Sequence, residues 1–232
     1  MHGMTGQDVA APDVIVFDVN ETLSDMAPMG RAFVAEGLPE HVARTWFSEA
    51  LRDGFAVTAA GGAAPFAEIA RDGLVRLGEQ ARLEAPETAA ERLMGTFKDL
   101  DVHPDVVAGV RALAPSAELV TLSNGTARVA ERLLERAGLR ESFSRLLSVE
   151  DAPAWKPARS AYEHAVARCG ADPGRMMLVA VHPWDVHGAH RAGLRTAWID
   201  REGSRYPGHF AAPDLRAPDL PSLAEQLAHL SG

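Results

Sequence analysis

Short apolar, β-branched runs alternating with helix-period segments constrain this chain more than any other feature of its sequence. "DVIVFD" (13–18) opens the series, followed by "AELVTLS" (117–123), "RLLSV" (145–149), "MMLVAV" (176–181) and "RTAWI" (195–199). Runs this short, apolar throughout and bounded by Pro12 or polar turns, predict strands buried on both faces, as in a parallel sheet. Between them, "TARVAERLLERAGL", "ARSAYEHAVARCG" and "PWDVHGAHRAGL" carry helical spacing, and each closes on a glycine near its end, Gly138, Gly170 or Gly193, where a C-cap belongs. Strand then helix, repeated, predicts an α/β fold, a doubly wound parallel sheet of Rossmann-like type. Its ligands sit outside the carboxyl ends of the strands.

Residues 25–105 break the alternation. "MGRAFVAEGLPEHVARTWFSEALRDGFAV", "PFAEIARDGLVRLGEQARL" and "ETAAERLMGTFKDL" have helix periods and almost no strand pattern, and "TAAGGAAP" (58–65) reads as a loop between them. Three or four helices inserted after the first strand predict a cap over the sheet edge, so that 1–24 and 106–232 form the core domain and 25–105 a helical cap subdomain. A chain of 232 residues, 47% hydrophobic and 24% charged, suits a core with such an insert and buries it without staples. Cys169 is the only cysteine, which excludes a disulfide framework and a thiolate metal cluster and fits a cytoplasmic setting. The formal charge of -9 is spread along the chain with no basic stripe, so no nucleic-acid partner is expected. No stretch approaches the ~20 apolar residues of a membrane span. "MHGMTGQDVAAPD" has neither the basic nor the apolar region of a leader, and reads as a short frayed tail on a soluble protein.

Four strand ends bring polar groups to one edge of this sheet: Asp18, then Ser123 and Asn124, then Lys156, then His182 and Asp185. Convergence of that kind is what an active site requires. A carboxylate at a strand-to-loop turn beside a lysine stays ionised at neutral pH and can attack an sp3 carbon, displacing a leaving group and forming an ester. Asp18 read alone is also a loop cap. Ser123, Asn124 and Gly125, ahead of a helix starting near Thr126, either present a hydroxyl and N–H groups to an anion or serve as turn and cap. Thr22 reads equally as a hydroxyl donor to Asp18 and as a turn residue, and Tyr162 equally as a site residue and as helix packing. Asp185 either holds Lys156 and water or is a first-turn acid suited to the helix dipole. His187 and His190 have no partner cluster, so no metal site is expected.

The Asp at the first strand end, then "LSNGT", "WKPARSAYE" and "PWDVHGA" in that order, resemble the haloacid dehalogenase superfamily over about Val14 to Trp198. The superfamily's phosphatases place a second Asp two residues after the nucleophile, as general acid and magnesium ligand. Asn20 stands there in this chain. It is therefore more similar to the type II 2-haloacid dehalogenases, which lack that Asp and use no metal or other cofactor. The resemblance implies Asp18 as nucleophile, held by Thr22, and Lys156 steering both Asp18 and the substrate carboxylate. It implies that Ser123 and Asn124, with Asn20 and Tyr162 in the same site, seat that carboxylate, Asn124 near the departing halide, and that Asp185 holds Lys156 and water. The activity implied is hydrolysis of short 2-haloalkanoic acids, the L enantiomers, to 2-hydroxy acids with inversion, by a homodimer joined through the cap.

Two departures matter. An aspartyl ester turns over only if water is activated against it. Where better-known members have Gly and a Ser/Asn pair, this chain has Glu21, Ala180 and His182. The first and fourth strands are neighbours in this topology, so His182 oriented by Glu21 is the expected general base; otherwise the two are a solvated loop acid and a helix-cap histidine. Secondly, the family's cap sets an Arg directly after a Trp to hold the halide, and here Phe47 follows Trp46. The electropositive ring edges of Phe47 and Trp46, with Asn124, are expected to receive the leaving group, or Arg44 and Arg52 substitute from the same helix. Three rival readings stay open: C–N cleavage of a cyclic imino acid by the same machinery, a magnesium phosphatase (which Asn20 opposes), and a non-catalytic binding protein.

Overall fold

The computed structural model describes residues 11–230. Most of the expected frayed tail, residues 1–10, lies outside them. The strands are β1 (Val14–Phe17), β2 (Glu118–Ser123), β3 (Arg145–Ser148), β4 (Met176–Ala180), β5 (Arg195–Ile199) and β6 (Leu215–Ala217). They form one sheet in the order β3-β2-β1-β4-β5-β6, every pairing parallel. β1 is central, which sets its carboxyl end between those of β2 and β4. The expected α/β doubly wound fold is the one observed.

Period-two alternation explains why β1 is apolar throughout. Val14 and Val16 join the core on one face of the sheet, whereas Ile15 and Phe17 join the core on the other. β4 repeats this, Leu178 and Ala180 against Met177 and Val179, so neither strand has a solvent face on which a polar residue would be tolerated. The helices α5 (Val106–Leu113), α6 (Ala127–Arg136), α7 (Arg159–Cys169), α8 (Pro183–Arg191) and α9 (Leu220–Leu230) complete the two layers. Gly138, Gly170 and Gly193 follow α6, α7 and α8 with φ of 65°, 65° and 93°, the left-handed conformation that only glycine adopts without steric cost. The sequence reading did not single out β6, because three residues are too few to show a period.

Between β1 and α5 lie four more helices: α1 (Ala27–Ala35), α2 (Val42–Ala59), α3 (Phe66–Gln80) and α4 (Pro86–Lys98). Gly37, at φ 81°, separates the first two. An aromatic cluster holds them together, with Trp46 edge-on to Phe97 at 5.7 Å and Phe66 stacked on Phe97 at 5.5 Å. The chain enters and leaves this helical stretch along paired segments: Ser24 bridges Val102, Asp25 N–H donates to Asp101 O (2.8 Å), and His103 N–H to Leu23 O (2.9 Å). No helix among the described residues is long and apolar enough to cross a membrane.

Candidate active site

Asp18 follows β1 directly and is 4% exposed. Its two oxygens have separate partners: Lys156 Nζ donates to Oδ1 at 2.8 Å, and Thr22 Oγ1 to Oδ2 at 2.6 Å. Thr22 in turn accepts the Val181 N–H (3.1 Å), which ties the Asp18 loop to the end of β4. Lys156 is fully buried and also donates to Asp185 Oδ2 at 2.7 Å. Burial by itself would raise the Asp18 carboxyl, but the Lys156 ammonium, the nearby His182 and the two hydrogen bonds outweigh it and hold it below the ordinary carboxylate range. Asp185 goes the other way, because burial and the charge of Asp18 together exceed what Lys156 and Tyr162 return. For Lys156, burial pulls down and the two carboxylates push up more strongly, so the ammonium is retained.

His182 lies two residues past β4, at the residue preceding α8. Its Nε2 lies 3.6 Å from Asp18 Oδ2 and 3.7 Å from Glu21 Oε2, and 3.1 Å from the Asn20 carbonyl. A carbonyl only accepts, so Nε2 carries the hydrogen. The ring stacks on Trp184 at 5.0 Å and against Phe47 at 6.4 Å. Glu21 sits at φ 61°, a conformation unfavourable for a non-glycine residue, and burial raises its carboxyl, the charges of His182 and Asp18 acting in opposite directions on it. Both residues border a cleft of about 940 Å3 whose walls include Phe47, Arg44, His103 and Arg201.

Several expected site residues take places other than those read from the sequence. Tyr162 is wholly buried, and its hydroxyl donates at 2.6 Å to Asp185 Oδ1, the carboxylate that also holds Lys156. Burial, reinforced by Asp185, raises its phenol well above the ordinary value, so it remains a donor. Trp46 is buried among the inserted helices with its indole N–H on Ala70 O (2.8 Å), outside the cleft walls. The physical reason is one helical turn geometry: adjacent residues face about 100° apart, so Phe47 reaches the cleft and Trp46 does not. Arg44 reaches it too, paired with Glu202 at 2.7 Å, whereas Arg52 turns to Glu49 and Asp53. Asn124 exchanges two hydrogen bonds with the Lys156 backbone, Nδ2 to O at 3.3 Å and N to Oδ1 at 3.0 Å. Ser123 Oγ accepts the Gly125 N–H at 2.9 Å.

Four residues near the site were not found by sequence reading: Trp184, His103, Arg201 and Ser148, whose Oγ donates to Gly125 O at 2.9 Å. Ser148 ends β3, and the strand-end rule that found Asp18 and Ser123 would have flagged it. Gly188 is a further one. A Cβ there would meet Tyr162 Oη at 2.5 Å and Pro157 Cβ at 2.7 Å. Gly188→Ala is expected to push Tyr162 off Asp185 and destabilise the fold by about 1–3 kcal/mol; urea unfolding of the two proteins checks it, and equal midpoints would contradict the packing argument.

A parallel sheet in this strand order, with a buried carboxylate at the carboxyl end of its first strand paired to a buried lysine from beyond the third, fits a class of hydrolases, the haloacid dehalogenase-like fold. The chain belongs to that family: the haloacid dehalogenase-like hydrolase model matches residues 12–193. Haloacetate dehalogenase H-2 of Moraxella sp. (strain B) is 27% identical over 219 residues, covering 93% of this chain and 98% of the relative. (S)-2-haloacid dehalogenase H-109 of Pseudomonas putida is 26% identical over 216 residues, covering 92% and 96%. Among solved structures, a dehalogenase with intermediate complex is similar at a TM-score of 0.88 and 25% identity, covering 94% of this chain and 98% of that one.

Proposed function

We propose that the protein hydrolyses the carbon–halogen bond of short 2-haloalkanoic acids by way of an ester on Asp18. The observation that carries this reading is the state of Asp18: buried, ionised, and held at each oxygen by a different donor. An oriented, desolvated carboxylate attacks C2 from the side opposite the halide, the C–O bond forms as the C–halogen bond breaks, and the centre inverts. Lys156 stays charged and offsets the negative charge of the incoming carboxylate; Ser123, which accepts from Gly125, has its own hydroxyl hydrogen to offer that group. The relatives named as haloacetate and (S)-2-haloacid dehalogenases supply the substrate class. We read the four inserted helices (25–105) as a cap covering this site, with Phe47 facing the reacting centre. A cytoplasmic homodimer with no cofactor completes the reading.

Ester hydrolysis falls to His182 and Glu21, with a division of labour opposite to the one expected from sequence. The Nε2 hydrogen goes to the Asn20 carbonyl, which fixes the imidazole beside the loop with the Glu21 carboxylate 3.7 Å away, while Glu21, its proton affinity raised by burial, takes the proton from water. Water adds to the ester carbonyl carbon as Glu21 takes one of its protons, the alkyl oxygen leaves with the product and receives that proton back from Glu21, and the Asp18 carboxyl, now carrying the water oxygen, releases the remaining proton to solvent and is regenerated as the carboxylate. His182→Ala is expected to slow this step by about 10²- to 10⁴-fold and to leave Asp18 alkylated, seen as an intact-mass increment. Full turnover without an adduct would remove the pair from the mechanism.

The test of the function is halide release from each enantiomer of 2-chloro- and 2-bromopropionate with chelator present. Release from one enantiomer only, indifferent to chelator, supports the reading. No release, with ring opening of a cyclic imino acid instead, would move the substrate class to C–N bonds.

A further inference from the structure

Four consecutive carbonyls, those of Asn20, Glu21, Thr22 and Leu23, each accept a hydrogen bond from a residue far away in sequence. His182 Nε2 serves Asn20 (3.1 Å), His103 Nε2 serves Glu21 (2.9 Å), Arg201 Nη2 serves Thr22 (3.0 Å), and the His103 N–H serves Leu23 (2.9 Å). One residue, His103, thus grips the loop twice, by backbone and by ring. Within the loop Glu21 stands at φ 61°, a strained conformation for a non-glycine residue that persists only where the surroundings over-determine it. Inside the same loop, the Glu21 N–H is on Ser24 Oγ at 3.2 Å, and the Leu23 and Ser24 N–H groups are on Val19 O at 2.9 and 3.0 Å. Because the Glu21 carbonyl can only accept, the His103 ring must present N–H at Nε2.

We infer that His103 is a positioning residue for Glu21, fixing the left-handed peptide that aims the Glu21 carboxylate at His182. This rests on the reading that Glu21 and His182 serve ester hydrolysis. His103 touches neither substrate nor the reacting atoms in that scheme. Its ring acts through one peptide carbonyl, and the segment that carries it is the one by which the chain returns from the inserted helices to the sheet. Arg201, on the neighbouring Thr22 carbonyl, supports the same loop and is anchored by two bonds to Asp105 (3.1 and 3.0 Å). A loosened Glu21 loop displaces the base and leaves Asp18, Thr22 and Lys156 where they are, so only the second half-reaction is slowed.

The experiment follows both half-reactions in His103→Ala, His103→Gln and His182→Ala, with the 2-halopropionate that wild type turns over. Halide release in a single turnover reports alkylation, and intact mass reports the ester on Asp18. For His103→Ala the expected result is alkylation within about threefold of wild type and ester hydrolysis slowed on the order of 10²-fold, the usual cost of a misplaced catalytic group. His103→Gln, whose amide nitrogen reaches the same place as Nε2, is expected to restore hydrolysis; a residue that only stabilised the fold would slow both steps together. His103→Asn, too short to reach the carbonyl, is read instead if the alanine variant does not fold. Hydrolysis at the wild-type rate in both His103→Ala and His103→Asn, with His182→Ala still trapping ester, overturns this inference alone. If wild type forms no adduct, or His182→Ala traps none, the functional reading fails and takes the inference with it.

Discussion

Asp18→Asn is expected to lower halide release by at least about 10⁴-fold, because a neutral amide replaces the only ionised nucleophile in the scheme. The fold is expected to survive the change. Asp18, Asp185 and Lys156 form a buried group of two carboxylates and one ammonium; the substitution leaves one of each, hydrogen-bonded as before. The Asn oxygen can still accept from Thr22, whose hydroxyl lies 2.6 Å from the present carboxylate. Stability should therefore stay within about 1 kcal/mol of wild type. Ion chromatography of halide and urea unfolding separate the two effects. Retained halide release, or an alkyl adduct at another residue, would show that Asp18 is not the nucleophile.

Lys156→Met carries the opposite expectation: loss of both fold stability and activity. Removing the ammonium strands Asp18 and Asp185, both almost wholly buried, without a cation between them. Breaking a buried ion pair from one side costs about 3–5 kcal/mol. The pH dependence follows by linkage. In wild type the Asp18 carboxyl is held low, so its contribution to stability is present above the unfolded value near ~4 and is lost as pH falls. Asp185, held high by burial, contributes in the opposite sense. Without Lys156, burial governs both groups, the folded state binds more protons than the unfolded one, and stability falls as pH rises from the carboxylate range to neutrality. The destabilisation measured by urea should thus be larger at pH ~7 than at pH ~5. A pH-independent difference would mean that Lys156 acts by packing alone.

How far the sequence reached can be judged from particular residues. β1 to β5 and α6 to α8 were legible because burial on both faces and a 3.6-residue period are local signals, and because Gly138, Gly170 and Gly193 mark helix ends by a backbone requirement that no tertiary contact overrides. Asp18, Ser123, Asn124 and His182 were legible for a related reason: parallel strands put their carboxyl ends on one edge, so position along the chain becomes position in space.

What the tertiary structure alone decided is which polar atom meets which. Tyr162 meets Asp185 and Trp46 meets Ala70 because the directions of their side chains depend on helix rotation against neighbours, Gly188 making room for the one and Ala70 offering its carbonyl to the other. The proton on His182 Nε2 and the grip of His103 on Glu21 join positions 162 and 82 residues apart. A hydrogen bond is settled by tenths of an ångström and by the direction of a donor. Periodicity along a chain assigns a residue to a face or an edge; only packing of the whole molecule supplies the distance and the angle.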